Sequence, residues 1–206
     1  MFKATLQALA VTAALSCGSA FAVPCTGSNL GTAQTTDVTF AGLASDACVI
    51  SGVNPQQGPN GNTSGFDGPF GGGWELLGKV TSSSGSKTLD GVNFTWGFVQ
   101  AAGGKTGTWT LAADQNVTLD LAFAMHASNH SGAFLFDDQS VFAQTPGTWS
   151  IHWVNNGGRV PNFSNLTLFA RDITTVTAVP EPETYALLAA GLAFVGWASR
   201  RRQRKQ

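Results

Sequence analysis

Glu75 is the only glutamate between Val23 and Ala178, so a pair of facing carboxylates, the usual requirement for glycoside cleavage, would have to come from aspartates. Asp137 and Asp138 are adjacent. Neighbouring residues on a strand point to opposite faces, which predicts that these two do not act as a facing pair. His126 and His130 stand four apart, a metal-ligand spacing on a helix. The intervening Ala127, Ser128 and Asn129 read as a hairpin loop, where the shared-face argument fails and solvated loop histidines are expected. Convergence of these histidines with Asp137 or Asp138 across a hairpin is the alternative that would hold a metal. No serine lies in a Gly-x-Ser-x-Gly elbow. Ser84, Gly85, Ser86 and Lys87 match Ser-x-x-Lys, but within a Ser-Gly turn that match is a chance one. Calcium has no EF-hand-like loop, and zinc has no cysteine-histidine spacing for four ligands. The expectation is a chain with no catalytic residues, no cofactor and no metal.

The elements that would position these groups read as all-β, a single sandwich or jelly-roll-like domain. Val117, Leu119, Leu121, Phe123 and Met125 alternate with Thr118, Asp120, Ala122 and Ala124, a period of two. Trp149, Ile151 and Trp153 alternate with Ser150 and His152 in the same way. Further strands are expected over residues 37–41, 47–51, 74–81, 92–100, 108–113, 133–137 and 164–170, with turns at 82–86, 102–107, 129–132 and 155–158. Residues 54–73, rich in glycine, proline and asparagine around Phe66 and Phe70, read as a long surface loop. Its aromatics are expected to plug the end of the core, with a lid on the sandwich rim as the alternative. Trp74, Trp96, Trp109, Trp149 and Trp153 are expected to face inward as core. Facing outward, they would form a platform for stacking sugar rings.

Composition narrows the partners. The segment from Val23 to Ala178 holds five bases (Lys79, Lys87, Lys105, Arg159, Arg171) against nine aspartates and Glu75, a net charge of −5. That balance argues against binding nucleic acid through its phosphates. The remaining basic charge is concentrated in the last residues. Asn-x-Ser/Thr sequons begin at Asn62, Asn93, Asn116, Asn129, Asn162 and Asn165, and Asp114 stands two residues before Asn116. These are possible glycosylation sites.

Both ends carry address labels. Lys3, an apolar run from Ala4 to Leu15 and small residues at Ala20 and Ala22 read as a secretory signal peptide, residues 1–22, cleaved after Ala22. Cys17 offers a lipoprotein alternative, but Ala14, Leu15 and Ser16 match a lipobox poorly. Once Cys17 leaves with the signal, Cys25 and Cys48 remain, and two cysteines in an exported chain most simply form a disulfide. The body then spans residues 23–178. At the other end, Val179, Pro180, Glu181 and Pro182 form an extended, exposed segment, because proline fixes its own φ and biases the residue before it. Residues 185–198 carry no charge and read as a transmembrane helix, short against the roughly 20 residues a span usually needs. Tyr185 and Trp197 flank it, and Arg200, Arg201 and Arg202 form a basic stop that stays cytoplasmic by the positive-inside rule.

Proline-glutamate-proline, a greasy segment and a basic terminus together resemble the PEP-CTERM sorting signal, over about residues 179–204. The resemblance implies recognition and cleavage by an exosortase-like membrane protease or transpeptidase of a Gram-negative bacterium. It also implies a membrane-anchored intermediate transiently in the inner membrane, a final place at the cell surface or outside, and a role in biofilm, floc or envelope exopolysaccharide. A plain tail anchor is the alternative for the C-terminus. For the body, the expectation is a non-catalytic exported surface or matrix protein. A carbohydrate-binding module using exposed tryptophans is the alternative, and a hydrolase built on the aspartates a more distant one.

Overall fold

Period-two hydrophobicity builds two sheets whose apolar faces meet. In the computed structural model, which describes residues 22–52, 69–80, 84–176, 190–192 and 200, the strands are β1 (Thr26–Gly27), β2 (Val38–Phe40), β3 (Leu43–Ala44), β4 (Ala47–Ser51), β5 (Glu75–Val80) and β6 (Gly85–Leu89). They continue with β7 (Val92–Gln100), β8 (Thr106–Ala113), β9 (Val117–Ala127), β10 (His130–Val141), β11 (Thr145–Ser150) and β12 (Asn165–Thr175). A 3₁₀ turn, Thr35–Asp37, leads into β2. One sheet has the order β1-β4-β10-β9-β12-β5 and the other β3-β2-β11-β8-β7-β6. The chain crosses between sheets after β1, β3, β5, β8, β10 and β11, so the two six-stranded layers share one core. The β-sandwich expectation is met for the body.

Side chains from both layers fill that core. Phe40 of β2 stacks on Trp109 of β8 at 4.9 Å, and Trp109 meets Phe123 of β9 at 5.0 Å. Phe40 also meets Phe136 of β10 edge-on at 5.9 Å. Room for the indoles comes from glycines on facing backbone. A Cβ on Gly147 would lie 2.3 Å from Trp109, one on Gly107 2.6 Å from Trp149, and one on Gly132 2.9 Å from Trp153. Strand interiors tolerate glycine poorly unless something approaches closely, and here the indoles do.

Several expectations need correction. Residues 82–86 are not simply a turn, because Gly85 and Ser86 begin β6, which pairs with β7 from Gly85↔Trp96 to Leu89↔Val92. The strand expected through Ile151 and Trp153 ends at Ser150. Both apolar residues stay buried, but Ile151 N–H donates to Lys105 O, and the next bonds run to Asn29 and Thr32. β9 is buried on both faces: Ala122 and Ala124, expected on the polar side, lie under a second apolar cluster with Trp74 and Phe169. Phe70 belongs to that cluster on the outer face of the first sheet, so it does not plug the end of the core.

The chain from Thr175 onward forms a separate compact unit; beyond Val176 it is described only at Ala190–Leu192 and Arg200, which are helical. Among the described residues no helix is long and apolar enough to cross a membrane. The signal peptide up to Phe21, Asn62, Phe66, the segment Val179, Pro180, Glu181 and Pro182, most of the expected transmembrane helix, and Arg201 and Arg202 lie outside the described residues.

Candidate functional site

The aspartates gather at a bulge. Phe136 pairs with Leu121 and Gln139 with Leu119, so Asp137 and Asp138 together face the single Asp120. Asp138 takes a left-handed backbone, φ 50°, as the extra residue of such a bulge often does. Strict alternation is therefore broken here, and the neighbour that acts most on the Asp137 carboxyl is Asp120 across the ladder rather than Asp138. The Asp138 N–H donates to Asp120 Oδ1 at 3.0 Å, and the Asp137 N–H donates to Asp46 Oδ2 at 2.8 Å.

Arg171 of β12 completes the arrangement. Its Nε donates to Asp120 Oδ2 at 2.8 Å, and its Nη1 donates to the carbonyls of Phe70 at 2.7 Å and Gly72 at 3.2 Å. The guanidinium lies 4.2 Å above the Trp74 ring, a cation–π contact. Burial alone would raise the Asp120 carboxyl. The Asp138 N–H, Arg171 and Asp137 outweigh it and hold Asp120 below its usual range. Asp137, hydrogen-bonded to Asp120 and repelled by its charge, is pushed up. Both Asp120 oxygens are thus occupied, and the cluster pins the segment 70–74 onto the outer face of the first sheet.

The histidines do not converge on this cluster. His126 pairs with Ser131 and Ala127 with His130, so the two histidines occupy successive rows of the ladder and face opposite sides. The turn is only Ser128 and Asn129, which places both histidines on strands and corrects the expectation of solvated loop residues. His126 is half-buried with Nδ1 2.9 Å from Ser131 Oγ, and burial, reinforced by the charge of Lys79, lowers it. His130 is buried, and seven residues along β10 separate it from Asp137, roughly 23 Å of strand. Among the described residues no group of three His, Cys, Asp or Glu side chains could hold a metal ion.

Sequence reasoning missed Asp37 and His152. Asp37 is buried and its Oδ1 lies 2.8 Å from His152 Nδ1, while Ser150 Oγ lies 3.4 Å from that same nitrogen. The residue types suggest a nucleophile, base and acid. The geometry does not, because a relay needs the acid on one ring nitrogen and the serine on the other. Burial raises the Asp37 carboxyl, against the opposing hydrogen bond from His152. A separation of 115 residues leaves no local signal for this pair.

The tryptophans pack inward or under other side chains, as expected, rather than forming an outward platform. Trp109, Trp149 and Trp153 are fully buried and Trp74 is buried under Arg171, which leaves Trp96 half-buried. Cys25 and Cys48 form the expected disulfide, joining the residue before β1 to β4. Asn93, Asn116, Asn129 and Asn162 are exposed, and Asn165 is half-buried at the start of β12. The Asp114 carboxylate accepts the Asn93 N–H at 3.0 Å, tying two of the sequons together.

Beyond this body, the family model described as the PEP-CTERM protein-sorting motif matches residues 178–202. The chain carries a PEP-CTERM sorting motif. That motif is a sorting signal, and it implies processing by an exosortase-type membrane enzyme. No curated protein and no solved structure matches the chain.

Proposed function

We propose that this chain is a non-catalytic exported protein that an exosortase sorts and cleaves near Pro180, Glu181 and Pro182, leaving the β-sandwich at the cell surface or in an exopolysaccharide matrix. The observation that carries the reading is the PEP-CTERM motif over residues 178–202. In this reading residues 1–22 direct export and residues 185–198 hold the intermediate in the inner membrane, with Arg200, Arg201 and Arg202 on the cytoplasmic side. The Cys25–Cys48 disulfide supports passage to an oxidising compartment. Exposed sequon asparagines would take sugar there. Exchanging Pro180 and Pro182 for alanine in a host with an exosortase tests the assignment. The altered chain should keep its tail and stay with the inner membrane. Unchanged trimming and release would refute cleavage at this motif.

A further inference from the structure

The outer face of the second sheet carries a groove of about 550 Å³ that runs from β6 across β7 and β8 to the residue before β11. Cross-strand register lines up Ser86, Thr95 and Ala112 in one row and Gly97 and Thr110 in the next. Gly97 and Ala112 form the low floor, Thr110 leans over Gly97, and Gln144 closes one end. None of the described residues that line the groove is charged, although the body as a whole carries −5.

The geometry points to a binding site for a neutral oligosaccharide segment, distinct from any tryptophan platform. Hydroxyls of Ser86, Thr95 and Thr110 both donate and accept, as sugar hydroxyls do, and the Gln144 amide offers both functions as well. An anionic polymer finds no cation in the lining, inside a domain of net negative charge. A peptide strand finds no free backbone edge on the groove floor, because β7 and β8 lie inside the sheet with both neighbours paired; the sheet's edge strand, β6, only borders the groove. Three strand spacings make the groove about 14 Å across, the reach of a short run of sugar rings. This deepens the matrix reading by giving the body a ligand class, and trimming of the tail is scored separately from it.

The test is isothermal titration of the full chain with neutral hexasaccharides of glucose, xylose and mannose, beside an oligogalacturonate. At least one neutral hexasaccharide should bind. Replacing Thr95 and Thr110 together by alanine should weaken binding about tenfold or more, two hydroxyl hydrogen bonds being lost. Ala112→Lys, which fills the floor, should abolish it, with near-ultraviolet circular dichroism as the check on folding. Should Ala112→Lys fail to fold, the threonine pair decides. Absence of binding by every neutral hexasaccharide up to about 10 mM, preference for the oligogalacturonate, or binding indifferent to the threonine pair would overturn the assignment.

Discussion

Breaking the Cys25–Cys48 disulfide should destabilise the body by a calculable amount. The bridge closes a loop with a sequence separation of 23, and the chain-entropy relation for that length gives about 3 kcal/mol at 25 °C. Little else can replace it at this edge. β1 is two residues long and meets β4 only at Thr26↔Val49 and Gly27↔Ile50, immediately beyond Cys25. Both cysteines are buried, so replacement by alanine keeps the site apolar and isolates the cross-link. For a domain of this size each kcal/mol moves the midpoint by about 2–4 °C, which predicts a fall of about 6–12 °C in Tm. Circular dichroism melts of the Cys25→Ala, Cys48→Ala chain, and of the unaltered chain with and without reductant, measure it. Reduced and double-alanine proteins should agree, and amides of residues 25–34 should lose exchange protection before those of β9. A Tm unchanged within about 2 °C would refute the argument that the bridge, rather than packing, holds this edge.

Arg171→Ala should cost about 3 kcal/mol, because it strands the buried Asp120 carboxylate and uncovers Trp74. Asp120→Asn in the same chain should restore part of that loss, read as a coupling in urea melts. Gly147→Ala should cost about 3 kcal/mol or unfold the body, since its Cβ would lie 2.3 Å from both the Thr39 carbonyl and Trp109 Nε1, where Trp109 donates to Thr39. Asp137→Asn should raise Tm at neutral pH. Asp137 is raised in the folded state above 3.8, so its contribution is present below that value and fades as pH rises through the folded pKa. The gain from Asp137→Asn should therefore shrink as pH falls through the raised folded value and the wild-type carboxyl takes up its proton. Asp120 runs the opposite way: its stabilisation is present above 3.8 and is lost as pH drops through its lowered value.

Legibility followed sequence distance. The inward residues of β9 repeat every second position without interruption, and all five are buried. On β10 the pattern was readable only over 133–137, since the bulge at Asp137 and Asp138 switches the faces just beyond. β6 was hidden because Ser82 to Ser86 has turn composition, yet Gly85 is there to admit Trp96 at a distance no Cβ would allow. Core burial of the tryptophans could be read from their alternation, but the pairing of Arg171 with Asp120 and Trp74 could not, being set by sheet order over dozens of residues. The sorting motif was the easiest feature to read because its parts are contiguous and its chemistry is local.

The most direct test of the central claim is the intact mass of the protein recovered from the organism that encodes it, with its cellular fraction recorded. Sorting and cleavage predict a chain lacking residues 1–22 and truncated near Pro180, Glu181, Pro182 and Glu183, found at the cell surface or outside, with sugar-sized additions if the sequons are used. A chain intact to Gln206 in the inner membrane, with no added mass, would contradict it.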